Sequence, residues 1–361
     1  MVFFGRRLDR ERISLYIQKS QEGEPPPMIT MLDIAKRSGI SRYTVSKVLN
    51  GNPSVRPATR EKVLAACRKY GYIPDSAAVG LVKGHTNLIG VTVPYLTDDF
   101  YSEFIEKLDR IAPVRGYQLI YRSSYNDGAT EAAILRSFLS LKVCGLIVVP
   151  VVRGADPAIH RLAARRVPVV YFDRPLDGEQ YCVLNDNREG TFRMTKLLLE
   201  KGRRPSYLGS FYRESNITAV RREQGYCEAM TAAGLEPDCL DVVAGGELQD
   251  NERFGYENTV RRLAGGRVPD ALLCVTDAVA LGAMRALSEA GIRPGADVPI
   301  CGHDNLRFSE FTTPSLSTVR QRKDLFADTC IDILDRSLHG DPPERREYIF
   351  SPELILREST P

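Results

Sequence analysis

The sequence predicts an α/β protein in two parts: a small all-α headpiece carrying a helix-turn-helix, then a larger two-lobed domain built on parallel sheets. Three observations predict it. Residues 30–50 read as two short helices separated by Gly39. From Leu88 onward, short apolar runs alternate with longer amphipathic segments, the pattern of parallel sheets covered by helices on both faces. Between Met28 and Gly84 stand ten Lys/Arg against three Asp/Glu, while the whole chain carries only +3, so residues 85–361 are net acidic. A small basic module on an acidic body is the electrostatic footprint of a nucleic-acid binder.

The elements follow in order. Residues 1–27 show weak helical periodicity and end in GEPPP; they read as a flexible extension to which no function is assigned. The helix-turn-helix headpiece, expected from its basic charge to bind DNA, spans 28–74. Thr30 suits an N-cap with Asp33 in the first turn, Ile34, Ala35 and Ser38 share one face, and Gly39 ends the helix. Ser41 caps a second helix whose Val45, Val48 and Leu49 recur at helical spacing, and Asn50-Gly51 closes it. A third helix runs over 58–70 with Val63, Leu64 and Cys67 inward. Residues 75–84, DSAAVGLVKG, suit one or two helical turns, too few to be stable without a partner.

The large domain spans 85–361. Strands are expected at 88–94, 118–124, 145–150, 167–173, 182–186, 206–210, 240–245, 271–276, 298–304 and 317–321. Helices are expected at 100–112, 129–141, 187–202, 219–233, 251–265, 277–290 and 323–338. That is many strands for one sheet, so two similar lobes with a binding cleft between them are the better reading.

Composition narrows the function. None of the eight cysteines forms a CxxC pair and the chain has only four His, so neither a metal nor a cofactor is expected. Several cysteines fall inside apolar runs as small buried hydrophobes, which fits a reducing cytoplasm. The start, MVFFGRRLDRER, has too short an apolar stretch for a signal peptide, and the best apolar run, 143–152, is too short to span a bilayer. The expectation is a cytoplasmic protein with no membrane partner.

The stretch ITMLDIAKRSGISRYTVSKVLNG (29–51) resembles the helix-turn-helix of the lac-repressor (LacI/GalR) family, through Thr30, Asp33-Ile34-Ala35, Gly39-Ile40-Ser41, Thr44-Val45-Ser46 and Val48-Leu49-Asn50. Residues 55–78 are similar to the family's third helix and hinge. The resemblance implies a second helix in the major groove. There Arg42, Tyr43 and Lys47 would read bases, Lys47 standing where the family more often has Arg. Thr30, Ser41, Thr44, Ser46 and Asn50 would contact phosphates. It also implies a hinge in which Leu81, beside Ala78, wedges into the minor groove and kinks the duplex; ordinary packing is the alternative for Leu81. Such a unit is a homodimer, with a tetramer as the further option, on a pseudo-palindromic double-stranded operator.

The remainder resembles the family's periplasmic-binding-protein-like sensor, through LIGVTVP, FDRP (172–175), DNREGTFRMTKLLLEKGRR (186–204), RREQGY (221–226), CGHDN (301–305) and TPSLSTVRQ (313–321). Asp173 and Asp304 end expected strands, at the edge where α/β clefts bind ligands. Carboxylates and a guanidinium suit the vicinal hydroxyls of a sugar. By resemblance the effector pocket takes Tyr95, Phe100, Tyr101, Asp173, Arg222, Thr276 and Asp304; core packing is the alternative for the aromatics. Thr276 stands where the family commonly has Asn, and Asp277 suits a cap as well as a ligand contact. Lys323, where an apolar or small residue is usual, would favour an acidic or phosphorylated ligand, or else snorkel outward.

These readings make the chain a sequence-specific regulator, a repressor of carbohydrate-utilisation genes answering to a sugar or sugar-derived effector. The rivals are a secreted sugar-binding protein and an enzyme acting in the cleft. The basic headpiece argues against the first. Against the second, no G-x-S-x-G, P-loop or HExxH motif is found, and of His85, His160, His303 and His339 only His303 falls near the expected pocket.

Overall fold

The computed structural model describes residues 29–49, 51–73, 86–151, 154–176, 180–209, 216–240 and 250–361. The expected extension, Asn50, the hinge with Ala78 and Leu81, and nearly all of the strand expected at 240–245 lie outside the described residues. The chain divides into two compact units between Thr86 and Asn87.

In the first unit α1 (Met31–Ser38), α2 (Arg42–Leu49) and α3 (Pro57–Tyr70) close on one apolar centre. Ile34, Val45 and Val63 are fully buried there, with Ala35, Val48, Ala66 and Cys67 around them. A capping box starts α1: Asp33 N donates to Thr30 Oγ1 (3.3 Å) and Thr30 N to Asp33 Oδ2 (3.0 Å). Gly39 ends α1 at φ +63°, a left-handed conformation that glycine adopts without a Cβ clash. This turn sets α2 against α1.

The second unit is two lobes. The first carries an all-parallel six-stranded sheet in the order β10-β5-β4-β3-β1-β2. Its strands are β1 (Leu88–Val93), β2 (Gln118–Ser123), β3 (Gly145–Val148), β4 (Val169–Phe172), β5 (Tyr181–Asn185) and β10 (Glu347–Phe350). Helices α4 (Asp99–Ile111) and α11 (Lys323–Leu338) bury one face; α5 (Gly128–Ser140) and α6 (Pro157–Arg166) bury the other. The second lobe has a five-stranded sheet, β11-β9-β8-β7-β6, parallel except for β11 (Glu353–Ile355). Its other strands are β6 (Pro205–Leu208), β7 (Ala271–Cys274), β8 (Ile300–Asp304) and β9 (Ser317–Arg320). On it pack α7 (Asn187–Glu200), α8 (Ile217–Ala232), α9 (Asn251–Ala264) and α10 (Asp277–Glu289).

The chain passes between lobes three times: after β5 into α7, after β9 into α11, and from β10 into β11. Helix α6 was not among the expected elements. Its sequence, PAIHRLAARR, buries only Ile159, His160 and Ala163, so its apolar signal is thin. Asp156, which caps Ala158 N at 2.9 Å, and Pro157 in the first turn are the start signals that mark it.

Candidate effector cleft and recognition helix

Between the lobes lies a cavity at the carboxyl ends of the strands, where open α/β sheets bind ligands. The first lobe supplies Tyr95 after β1, Asp98, Phe100 and Tyr101 at the start of α4, and Asp173 and Arg174 after β4. The second supplies Asn216 and Arg222 from the start of α8, Thr276 after β7 and Asp304 at the end of β8. All seven residues expected there from the sequence (Tyr95, Phe100, Tyr101, Asp173, Arg222, Thr276 and Asp304) line this one cavity.

Its floor is an ordered buried network. Arg222 is 6% exposed and spends its donors on three partners: Nε on Asn187 Oδ1 (2.8 Å), Nη1 on Val275 O (2.6 Å) and Nη2 on Asp304 Oδ1 (3.0 Å). Asp304 also accepts from Gln321 Nε2 at 2.5 Å and contacts His303 Nδ1 at 3.1 Å. Burial alone would raise the Asp304 pKa. Arg222, His303 and Lys323 outweigh it and hold the carboxyl below its ordinary value. Burial, with Arg222 beside it, pushes His303 down to about 4, so its ring is neutral near pH 7.

On the opposite wall Tyr101 Oη donates to Asp173 Oδ2 at 2.9 Å, and Arg174 Nη1 donates to Asn126 Oδ1 at 2.8 Å. Asp173 and Asp304 have φ of +64° and +109°. Non-glycine residues held there mark a site whose surroundings over-determine the backbone. Phe100 and Tyr101 belong to the core as well as to the wall: both are buried, and Phe100 stacks on Phe172 at 6.0 Å.

Two residues stand differently from expectation, Asp277 and Lys323, and Thr276 has a second role. Thr276 lines the cavity but is also the N-cap of α10, accepting from Val279 N at 3.2 Å. Asp277 is therefore neither cap nor wall. It is wholly buried, accepts from Leu306 N (2.8 Å) and Thr318 Oγ1 (2.5 Å), and burial with Asp304 nearby raises its pKa to about 8. Lys323 neither snorkels outward nor faces the cavity. Its Nζ donates to Asp304 O at 3.0 Å and pairs with Glu103 at 2.6 Å.

Sequence reasoning missed Asp98. It caps α4, accepting from Phe100 N at 2.9 Å, and faces the cavity among other carboxylates. Burial, with Asp304 and Asp173 adding repulsion, raises its pKa to about 7. The signal was present as the pair Asp98-Asp99 ahead of an amphipathic helix, a cap pattern that says nothing of a ligand. Arg174, Asn216 and Glu252 were missed too, since only the fold gathers them.

In the headpiece, Val45 and Val48 turn α2 inward, leaving Arg42, Tyr43, Ser46 and Lys47 on its outer side. Arg42 and Tyr43 are exposed, Tyr43 to 70%, and Lys47 Nζ lies over the Tyr43 ring at 4.6 Å. Ser41 Oγ accepts from Thr44 N at 3.2 Å and meets Thr44 Oγ1 at 2.9 Å. Thr30 Oγ1 donates to Asp33 Oδ2 at 2.7 Å.

A helix-turn-helix with a polar outer helix, in one chain with a two-lobed cleft domain, defines the class of ligand-responsive DNA-binding regulators. Residues 30–75 match the model of bacterial regulatory proteins of the lacI family, and residues 195–360 that of the periplasmic binding protein-like domain. The HTH-type transcriptional repressor PurR of Haemophilus influenzae (strain PittEE) is 31% identical over 337 residues, spanning 92% of this chain and 98% of that one. The lac repressor dimer, solved bound to operator and the anti-inducer ONPF, superposes with a TM-score of 0.81 at 27% identity, covering 92% of this chain and 99% of that one. The transcriptional regulator CelR, solved with cellobiose, gives 0.65 at 26% identity over the same shares of each chain. The chain belongs to the lacI family and is a DNA-binding transcription regulator with a small-molecule effector domain. No described helix is long and apolar enough to cross a membrane.

Proposed function

We propose that the chain is a cytoplasmic repressor of carbohydrate-utilisation genes, and not an enzyme, released from its operator or bound to it according to a neutral sugar in the cleft. The carrying observation is the cleft's charge. Among the described residues, Asp98, Asp99, Asp173, Glu252 and Asp304 stand on its walls against Arg174 and Arg222, and Arg222 already donates to Asn187, Val275 and Asp304. Such walls offer acceptors to hydroxyl donors and repel a phosphate. Lys323 is held by Glu103 and the Asp304 carbonyl, so its charge reaches the cavity only by way of Asp304. Tyr95, Phe100 and Phe254 supply apolar surface beside the polar groups, the usual make-up of a small-molecule site. The transcriptional regulator CelR, a structural neighbour, was solved in complex with cellobiose, a neutral sugar.

On the DNA side, Arg42, Tyr43 and Lys47 read bases while Ser41, Thr44, Ser46 and Asn50 hold phosphates. Thr30 is the weakest of these, because Asp33 takes its hydroxyl and puts a negative charge beside any phosphate. By the family resemblance Leu81 and Ala78 form a minor-groove hinge, and the lac repressor, solved as a dimer bound to operator, supports a homodimer. The test is thermal shift of the full chain against neutral mono- and disaccharides and their phosphates. Stabilisation by a neutral sugar and not by its phosphate is expected. Stabilisation by phosphorylated sugars alone would overturn the effector class. For the headpiece, operator selection with Arg42, Tyr43 and Lys47 all changed to Ala should yield a different preferred sequence; an unchanged one would mean the reading helix is misplaced.

A further inference from the structure

Six of the eight cysteines are buried, and burial raises the pKa of each of those thiols. Cys227 and Cys239 differ: one is half-buried and the other exposed. Cys227 lies one helical turn after Glu223 on α8, so both project from the same face. Cys239 comes from a separate segment beside β6, where Tyr207 N donates to Asp238 O and Leu240 N to Tyr207 O, each at 2.9 Å. That pairing brings Cys239 Sγ to 3.9 Å from Glu223 Oε1. Two sulfurs and a carboxylate oxygen thus lie within 4.8 Å of one another. Among the described residues no other three His, Cys, Asp or Glu side chains gather this closely.

We propose that Glu223, Cys227 and Cys239 form a binding site for a thiophilic divalent cation of the zinc class. Zinc takes thiolate sulfur at about 2.3 Å and carboxylate oxygen at about 2.0–2.2 Å in a tetrahedron. Ligand atoms already this near reach those distances by side-chain rotation, with both backbones held by the helix and the strand pairing. Three protein ligands leave the fourth position to water, and exposure of Cys239 gives the ion a way in. Two sulfurs favour zinc or cadmium over magnesium or calcium, which prefer oxygen alone. Binding displaces the two thiol protons, so uptake strengthens as pH rises. The absence of CxxC spacing hid this site, because Cys227 and Cys239 meet only through the pairing beside β6.

The test is titration of the reduced full-length protein with Co2+, followed by displacement with Zn2+, reading the thiolate-to-metal charge-transfer band in the near ultraviolet. One equivalent per chain is expected, with the band lost in Cys227→Ser and in Cys239→Ser and weakened in Glu223→Gln. Cys182→Ser, a change at a buried cysteine elsewhere, should keep it. Cys239 is exposed, so its serine variant tests the site without disturbing the core. No band in the reduced wild type, or a band that survives both serine variants, would overturn the proposal.

Discussion

At the scale of single residues, the buried charges dominate. Arg222 and Asp304 are an ion pair sealed in the cleft floor, and such pairs matter most when one member is removed. Arg222→Ala leaves Asp304 buried with its main counter-charge gone. The expected loss is about 3–5 kcal/mol of unfolding free energy, read by urea denaturation, together with loss of the effector-induced thermal shift. A variant as stable as the wild type would show that the pair is more solvated than its burial implies. Asp98 gives a different signature. Its pKa is raised from the ordinary 3.8 to about 7, so the folded chain holds a proton that the unfolded chain has released. Its stabilising contribution is therefore full below about 3.8 and is lost as pH rises through about 7. Asp98→Asn, which keeps the cap on Phe100 N, should flatten the decline of unfolding free energy over that window; identical pH slopes in both proteins would refute the assignment. These two residues also mark what the sequence shows and hides. Arg222 and Asp304 were legible through family motifs. Asp98 was not, because a helix-capping aspartate looks the same whether or not a cleft faces it.

At the scale of elements, legibility followed how strongly each segment signals its own state. The β-branched runs at 88–93, 145–148 and 169–172 are buried through nearly their whole length, and their apolar continuity announced them. Helix α6 has a thin apolar stripe and was not expected, and the short edge strands β10 and β11 had no place among the expected strands either. The turn between α1 and α2 was fully legible, because one residue decides it. Gly39 sits at φ +63° with open space where a Cβ would go, so the obstacle to a side chain there is conformational and not a clash with neighbours. Gly39→Ala should cost about 1–2 kcal/mol of headpiece stability, the left-handed penalty for an L-residue. Operator affinity should fall with it, since the angle at which α2 is presented depends on this turn. Denaturation of the headpiece, followed separately from the sensor, measures the cost; no change would mean that the turn relaxes to another conformation.

At the scale of the molecule, the cleft floor and the lobe crossings are one structure. Asn187 opens α7 directly after the first crossing, and Gln321 and Lys323 stand at the second. All three bond into the Arg222–Asp304 pair: Asn187 to the guanidinium, Gln321 to the carboxylate and Lys323 to the Asp304 carbonyl. A ligand that engages Arg222 or Asp304 therefore touches the groups that hold the chain where it passes between lobes. It can shift the lobes only through a difference in affinity for their two arrangements. Gln321 is not among the residues lining the cavity, so it separates binding from transmission. Gln321→Leu should leave effector affinity close to wild type while shrinking the ratio of operator affinities with and without effector, both read by titration at one fixed salt concentration. If that ratio is unchanged, the crossing network is scaffolding, and the signal leaves the cleft by another route.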